Sequence, residues 1–278
     1  MSGITAIVLA ATRGGADPVA AAAGTDLKAF APAAGEPMLD RVVAALQAAT
    51  GVGRIALVVP GGADLSPAPR AKAAVAGGNA VCIAAAASPS ASALAALDAL
   101  GATFPVLLVT ADHALLTPAM VEDFLTRAPT DADIVAALVD EAGYRARFPD
   151  SRRTWLRFRE GAYTGCNLFL LRTSRARDVL TLWRRVETAR KTPWRLVRLL
   201  GLTSIVRYRL GWLTLSDTLA RAEKRFGVRV APLVLSDPEA AIDVDTVADM
   251  ALVERLIAAR SNIATDDKSE AGRIGAAG

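Results

Sequence analysis

The chain is poor in the residues that build redox and zinc chemistry. Its 278 residues include two cysteines, Cys82 and Cys166, and one histidine, His113. The cysteines are far apart and lie in apolar stretches, so neither a disulfide framework nor a zinc site can be assembled from them. A reduced, cytoplasmic protein is the expectation that follows. Aromatic residues are also scarce, at 5%, although 53% of the chain is hydrophobic. Alanine makes up the difference, as in positions 20–23 and 84–87. That much apolar surface excludes intrinsic disorder for the bulk of the chain. Long hydrophobic runs are missing too. The strongest, 4–11 and 104–109, fall far short of the roughly 20 residues that cross a bilayer. No basic leader precedes the first strand-like run, so no secretory signal is expected.

Charge is nearly balanced, with 32 Lys+Arg against 28 Asp+Glu and a net charge of +4. Arginine carries the excess, concentrated between Arg145 and Arg229. This suits a phosphate-bearing ligand or an anionic surface. A nucleic-acid binder would be more basic overall, and none is expected as a partner.

The first half alternates strand and helix signals. Ile4-Thr5-Ala6-Ile7-Val8-Leu9 is a short branched apolar run that fits a strand buried on both faces. Apolar residues at helical spacing over 38–49 follow the breaker Gly35-Glu36-Pro37. Further strands are predicted over 54–59, 80–84, 105–109 and 133–139, with helices over 90–100 and from Thr117-Pro118 to Arg127. The spacing predicts a three-layer α/β/α sandwich around a mostly parallel sheet. From Glu141 arginines become dense, and a helical insertion is predicted over 174–225. A strand over 228–235 and a helix over 246–260 close one domain of residues 1–260, and 261–278 reads as a disordered tail.

Several residues carry chemistry. The first strand runs into Leu9-Ala10-Ala11-Thr12-Arg13-Gly14-Gly15, a small-residue turn that lets backbone N–H groups approach phosphates. It is neither a Walker loop nor a dinucleotide fingerprint. Lys28 follows within Asp26-Leu27-Lys28-Ala29-Phe30-Ala31-Pro32, one of few lysines in an arginine-rich chain. Asp112 stands after the strand ending near Val109, at a carboxyl end, where ligands bind in open α/β sheets. Asp243 and Asp245 precede the closing helix.

In order and position these segments resemble the sugar-nucleotide and cofactor nucleotidyltransferases, nearest to their MobA-like group. The opening turn, the Lys28 segment with Gly35-Glu36-Pro37-Met38-Leu39, Thr110-Ala111-Asp112-His113-Ala114-Leu115-Leu116-Thr117-Pro118 and Ile242-Asp243-Val244-Asp245-Thr246 all carry the likeness. The resemblance implies the nucleotide-diphospho-sugar-transferase (GT-A) fold and metal-dependent transfer of NMP from an NTP, GTP or CTP, to a phosphorylated small-molecule acceptor. It makes Lys28 and Asp112 catalytic, and Asp112 with Asp245 the ligands of Mg2+, Asp243 being the competing choice. Leu9, Ala10, Ala11, Gly14, Gly15, Lys28, Ser88 and Ser90 would bind the nucleotide, the two serines either reading ribose or capping a helix. Gly165 and Asn167 resemble the family's T-G-x-N-type segment, which contacts the acceptor. From the arginine cluster 145–159, Arg153 and Arg157 either bind the acceptor phosphate through their guanidinium forks or form a solvated hairpin face.

The chain departs from the family pattern at Thr12, which replaces a glycine, at the stretch 16–25, which lengthens the loop before Lys28, and at His113 and Ala114. Two other classes compete. A GT-A glycosyltransferase would use a compact D-x-D such as Asp131-Ala132-Asp133. A degenerate, non-catalytic nucleotide-binding protein would explain Thr12 and the long loop. Residues 191–213, where Arg195, Arg198, Arg207 and Arg209 interleave with Trp194, Tyr208 and Trp212, read either as a lid or as a peripheral membrane contact.

Overall fold

The computed structural model describes residues 3–11, 17–101, 103–151, 153–189, 207 and 210–275. Its main sheet follows the predicted alternation. Strands β1 (Ile4–Leu9), β4 (Val52–Val59), β5 (Ala80–Ala84), β6 (Val106–Thr110), β7 (Ile134–Asp140) and β10 (Val230–Val234) are joined by β9 (Gly161–Leu171) and the short β8 (Leu156–Phe158). The spatial order is β10-β7-β9-β6-β1-β4-β5, with β8 pairing on β9. All central pairings are parallel except those of β9, which runs antiparallel to both β6 and β7. The sheet is therefore mostly parallel but mixed. A separate hairpin, β2 (Pro32–Ala33) with β3 (Glu36–Pro37), turns through Ala34 and Gly35, both at positive φ.

Helices cover both faces because alternate strand residues feed two cores. Ala6 and Val8 of β1 join Met38, Leu39 and Leu46 of α2 (Met38–Ala48), together with Met120 and Phe124 of α5 (Pro118–Arg127). Ile7, on the opposite side, joins Ala93 and Leu97 of α4 (Pro89–Ala99), with Ala176 and Leu180 of α7 (Ala176–Ala189). This is the three-layer arrangement that the sequence predicts. Among the described residues, no helix is long and apolar enough to cross a membrane.

Three local features go beyond the expected pattern. The lengthened loop before Lys28 contains a short helix, α1 (Pro18–Ala23). Asp17 caps it by accepting from the Val19 and Ala20 N–H groups, and Gly24 ends it at φ 64°. The closing helix is also longer than expected and runs Val247–Gly275, through most of the stretch read as a disordered tail. No proline, and no glycine before Gly272, interrupts it, so nothing in the sequence stops it at Arg260. The long strand β9 was not predicted at all. As for the proposed insertion, α7 and the helix Leu215–Phe226 fall within it. Positions 190–206, 208 and 209, and with them most of the basic–aromatic segment, lie outside the described residues.

Candidate active site

Lys28 opens a 3-10 turn, Lys28–Phe30, whose Ala29 and Phe30 are buried and anchor it to the core. Its ammonium donates to Asp112 Oδ2 at 2.6 Å and to Asp245 Oδ1 at 3.1 Å. Three residues more than eighty positions apart thus meet at one point. Asp112 stands just past β6, where the Thr110 hydroxyl donates to its other carboxylate oxygen. The Val244 N–H donates to the Asp112 carbonyl at 3.1 Å, which ties the segment bearing Asp245 to the end of β6. Asp112 is 16% exposed and Asp245 69%, so the pair runs from the floor of the site to its mouth. Burial alone would lower the Lys28 pKa, but Asp112 and then Asp245 outweigh it, and the ammonium titrates above the usual lysine value.

Asp243 has other partners. Arg153 donates to its Oδ1, and Asn167 Nδ2 donates to its Oδ2 at 2.8 Å. The guanidinium of Arg153 also reaches the Tyr144 hydroxyl at 3.4 Å and lies 6.0 Å from the centre of that ring. Tyr144 is fully buried and shares a hydrogen bond of 2.9 Å with the Ser151 hydroxyl. Burial opposes the charge on Arg153, but Asp243 more than compensates and the arginine pKa is raised. Asn167 sits at φ 51° in β9, a left-handed conformation that asparagine tolerates better than most residues. The β7–β9 register shifts nearby, between Ala136 and Leu138. Gly165 is exposed, and a side chain there would meet nothing within 4 Å.

The remaining expected site residues divide. Leu9, Ala11 and Ser88 line a narrow cleft with Val58, Ala86 and Ser92, at the carboxyl ends of β1 and β4. Ala10 is buried and its N–H donates to the Val58 carbonyl at 2.9 Å, so it supports the cleft from behind. Ser88 caps α4 by accepting from the Ala91 N–H at 3.3 Å, as one of the two sequence readings has it. Ser90 is buried within 3.2 Å of the Ser88 hydroxyl and does not line the cleft. Gly14, Gly15 and Thr12 lie outside the described residues. Arg157 is not brought to Asp243 with Arg153: it pairs with Glu141 at 3.0 Å on the exposed surface, as Arg145 does at 2.8 Å.

Sequence reasoning gave His113 no role, noting it merely as a departure. It is 1% exposed beside the Asp112 turn, and neither ring nitrogen has a hydrogen-bond partner among the described residues. Burial pushes its pKa down to about 4, with Asp243 resisting in part. Its position next to Asp112 was the signal available. Cys166 is buried, and burial pushes its thiol up to about 12, which suits a packed residue and not a nucleophile. The Asp131-Ala132-Asp133 motif has a structural use. Asp133 accepts from the Thr173 hydroxyl and, at 2.9 Å, from the Arg229 N–H, at the amino end of β7. Ligands of open α/β sheets bind at the opposite end.

Asp112 and Asp245 are the residues that could hold a divalent cation. Two hard-oxygen carboxylates converge on the Lys28 ammonium, so they already face a shared positive charge. Among the described residues, no group of three or more His, Cys, Asp or Glu side chains surrounds one point. A two-carboxylate site completed by ligand phosphates and water is the pattern that Mg2+ accepts.

Comparison with known proteins identifies the family and the fold. A model of the MobA-like NTP transferase domain matches residues 6–198. Among solved structures, a hypothetical transferase from Thermus thermophilus is 34% identical with a TM-score of 0.72, over 89% of this chain and 99% of its own. The fold is shared with a 4-diphosphocytidyl-2C-methyl-D-erythritol synthase, 14% identical, TM-score 0.56, over 92% of this chain and 99% of its own. It is shared as well with a CMP:2-keto-3-deoxy-manno-octonic acid synthetase complexed with CTP, 16% identical, TM-score 0.54, over 94% of this chain and all of that one. No curated protein matches. With a family model covering most of its length and a relative above a third identical, this chain belongs to the MobA-like NTP transferase domain family.

Proposed function

We propose that the protein is a metal-dependent nucleotidyltransferase that moves NMP from an NTP, GTP or CTP, to a phosphorylated small-molecule acceptor. The observation that carries this reading is the convergence of Lys28, Asp112 and Asp245 on one point. The cleft by Leu9, Ala11 and Ser88 takes the nucleotide beside it. Asp112 and Asp245 hold the cation, with Mg2+ the best match to two carboxylates. When bound, it neutralises the triphosphate and the charge developing on pyrophosphate.

An oxygen of the acceptor phosphate forms a bond to the α-phosphorus. The bond between that phosphorus and the bridging oxygen to the β-phosphate breaks, and its electron pair leaves with pyrophosphate. No side-chain nucleophile takes part. Lys28 turns from the carboxylates to the phosphates and stabilises the charge on the transferring group. Arg153, Gly165 and Asn167 serve the acceptor side. Gly165 leaves the opening clear, and Arg153 offers a forked donor to phosphate when Asp243 yields it.

The test is a thermal-shift panel of the four NTPs with Mg2+. A cognate NTP at a hundredfold excess over its Kd should stabilise the protein by about 2.7 kcal/mol. Asp112→Ala should remove both that shift and pyrophosphate release. If all four NTPs leave the melting temperature unchanged while a nucleotide sugar raises it, the reading fails in favour of glycosyl transfer.

A further inference from the structure

The near-neutral total conceals a divided charge. Between Glu141 and Arg229 the chain holds 21 Lys+Arg against 7 Asp+Glu, and elsewhere 11 against 21. Exposed apolar side chains share this partition. Five large hydrophobic residues are exposed among the described residues, and four lie in the positive region: Leu156, Trp183, Leu210 and Trp212, each 48% exposed or more.

Three of these four stand on two segments that hydrogen bonds join into one exposed face. The Arg159 N–H donates to the Leu213 carbonyl at 2.9 Å, and the Leu215 N–H donates to Glu160 Oε1 at 2.7 Å. These bonds fasten the β8–β9 hairpin to the turn bearing Leu210 and Trp212. Leu156 stands in that hairpin opposite Tyr163, whose ring lies 6.4 Å from that of Phe158. Arg157, Arg159 and Arg207 are exposed around them. Tyr163 also pairs with Asp140, at the carboxyl end of β7. The patch therefore occupies the end of the sheet that carries Asp112.

We propose that this patch docks the protein on an anionic membrane surface. Trp212, Leu210 and Leu156 enter the headgroup layer, and the arginines around them meet lipid phosphates. Tryptophan suits that depth, with an apolar body and one polar N–H. The exposed Arg157, Arg159 and Arg207 select an anionic occupant. A second copy of the chain would set one arginine-rich face against another. A polynucleotide would satisfy the arginines and stack on Trp212 but leave Leu156 and Leu210 in water. The proposal does not rest on the nucleotidyltransferase reading, because it concerns a different surface and a different ligand.

Flotation of the full-length protein with vesicles tests it. Vesicles of phosphatidylcholine with phosphatidylglycerol should carry at least about tenfold more protein than pure phosphatidylcholine, and high salt should reduce the difference. The double variant Leu156→Ser/Trp212→Ser should lose roughly tenfold of that binding with its thermal midpoint unchanged, since both side chains are exposed. A second variant, Arg159→Gln/Arg207→Gln, should lower binding to the anionic vesicles alone. The proposal is overturned if neither vesicle carries the protein. It is equally overturned if the Leu156/Trp212 variant floats as well as the parent, or if single-stranded DNA outcompetes anionic vesicles for the protein. The NTP thermal-shift panel is unaffected by any of these outcomes.

Discussion

Asp243 and Asp245 stand two positions apart yet answer to different cations: Asp243 accepts from Arg153, and Asp245 accepts from Lys28 at 3.1 Å. In a regular strand, residues two apart share a face. The stretch from Ile242 to Asp245 has no regular secondary structure, and its Val244 N–H is turned to the Asp112 carbonyl. The two carboxylates can therefore diverge, one toward Lys28 and the other toward β9.

Their neutral variants should differ accordingly. Asp245→Asn should weaken Mn2+ binding, read by electron paramagnetic resonance, by about tenfold while changing stability by less than about 0.5 kcal/mol, because the residue is largely exposed. Asp243→Asn should instead cost roughly 2 kcal/mol in a denaturant titration. It leaves Arg153 largely buried without its counter-charge, which nearby solvent screens only in part. Equal effects of the two variants on Mn2+ would contradict the division of labour between them.

Lys28 competes with a cation for the same carboxylates. In Lys28→Met the apolar stem remains and the ammonium is gone. Mn2+ should then bind the nucleotide-free protein about tenfold more tightly, or ~1.4 kcal/mol, while NTP affinity falls. Unchanged Mn2+ affinity would mean that Asp112 and Asp245 do not share a cation.

His113 makes stability depend on pH in a definite direction. Folded, it stays neutral down to about pH 4, whereas in the unfolded chain it protonates near 6.5. Between those values the unfolded state binds more protons. The contribution of the neutral imidazole is thus complete above pH 6.5 and lost as pH falls toward 4, by roughly 3 kcal/mol in full. In His113→Leu this component of the slope should vanish. The variant should be no less stable than the parent at pH 7, because among the described residues neither imidazole nitrogen has a partner to lose. Parallel pH–stability curves for the two proteins would refute this.

Asn167 combines a hydrogen bond to Asp243 with a left-handed backbone. Asn167→Ala and Asn167→Gly both remove the bond, but alanine alone adds backbone strain. Glycine should therefore be the milder change by about 1 kcal/mol in chemical denaturation. If alanine proves equal or better, the positive φ is not a constraint at this position.

Much of this fold is written in local pattern. The branched apolar runs of β1 and β5 match their observed limits, and α2, α4 and α5 begin within one residue of their predicted starts. Their hydrophobic spacing and N-terminal breakers suffice to mark them. Strand β9 was hidden for a physical reason. Its outer end carries Tyr163, Thr164 and Asn167 beside an arginine-dense stretch, and its antiparallel place between β6 and β7 depends on partners distant in sequence. Ser90 was placed by motif position and Arg157 by the chemistry of its arginine cluster. In the fold Ser90 is buried beside Ser88 and Arg157 pairs with Glu141, contacts that local pattern does not reveal.

The sequence by itself determined the residue types and their order: a lone lysine among small apolar neighbours, an aspartate after a buried strand, and a D-x-D before the last helix. Those suffice to nominate a phosphate-handling site, because hard oxygen ligands and a point positive charge are what the chemistry requires. Tertiary structure alone decided which aspartate of the D-x-D faces Lys28. That choice depends on Arg153 and Asn167 claiming Asp243 across the sheet and on one backbone hydrogen bond to Asp112. Neither contact has a signature in local spacing, since each joins segments more than seventy residues apart whose distance only the packed sheet sets.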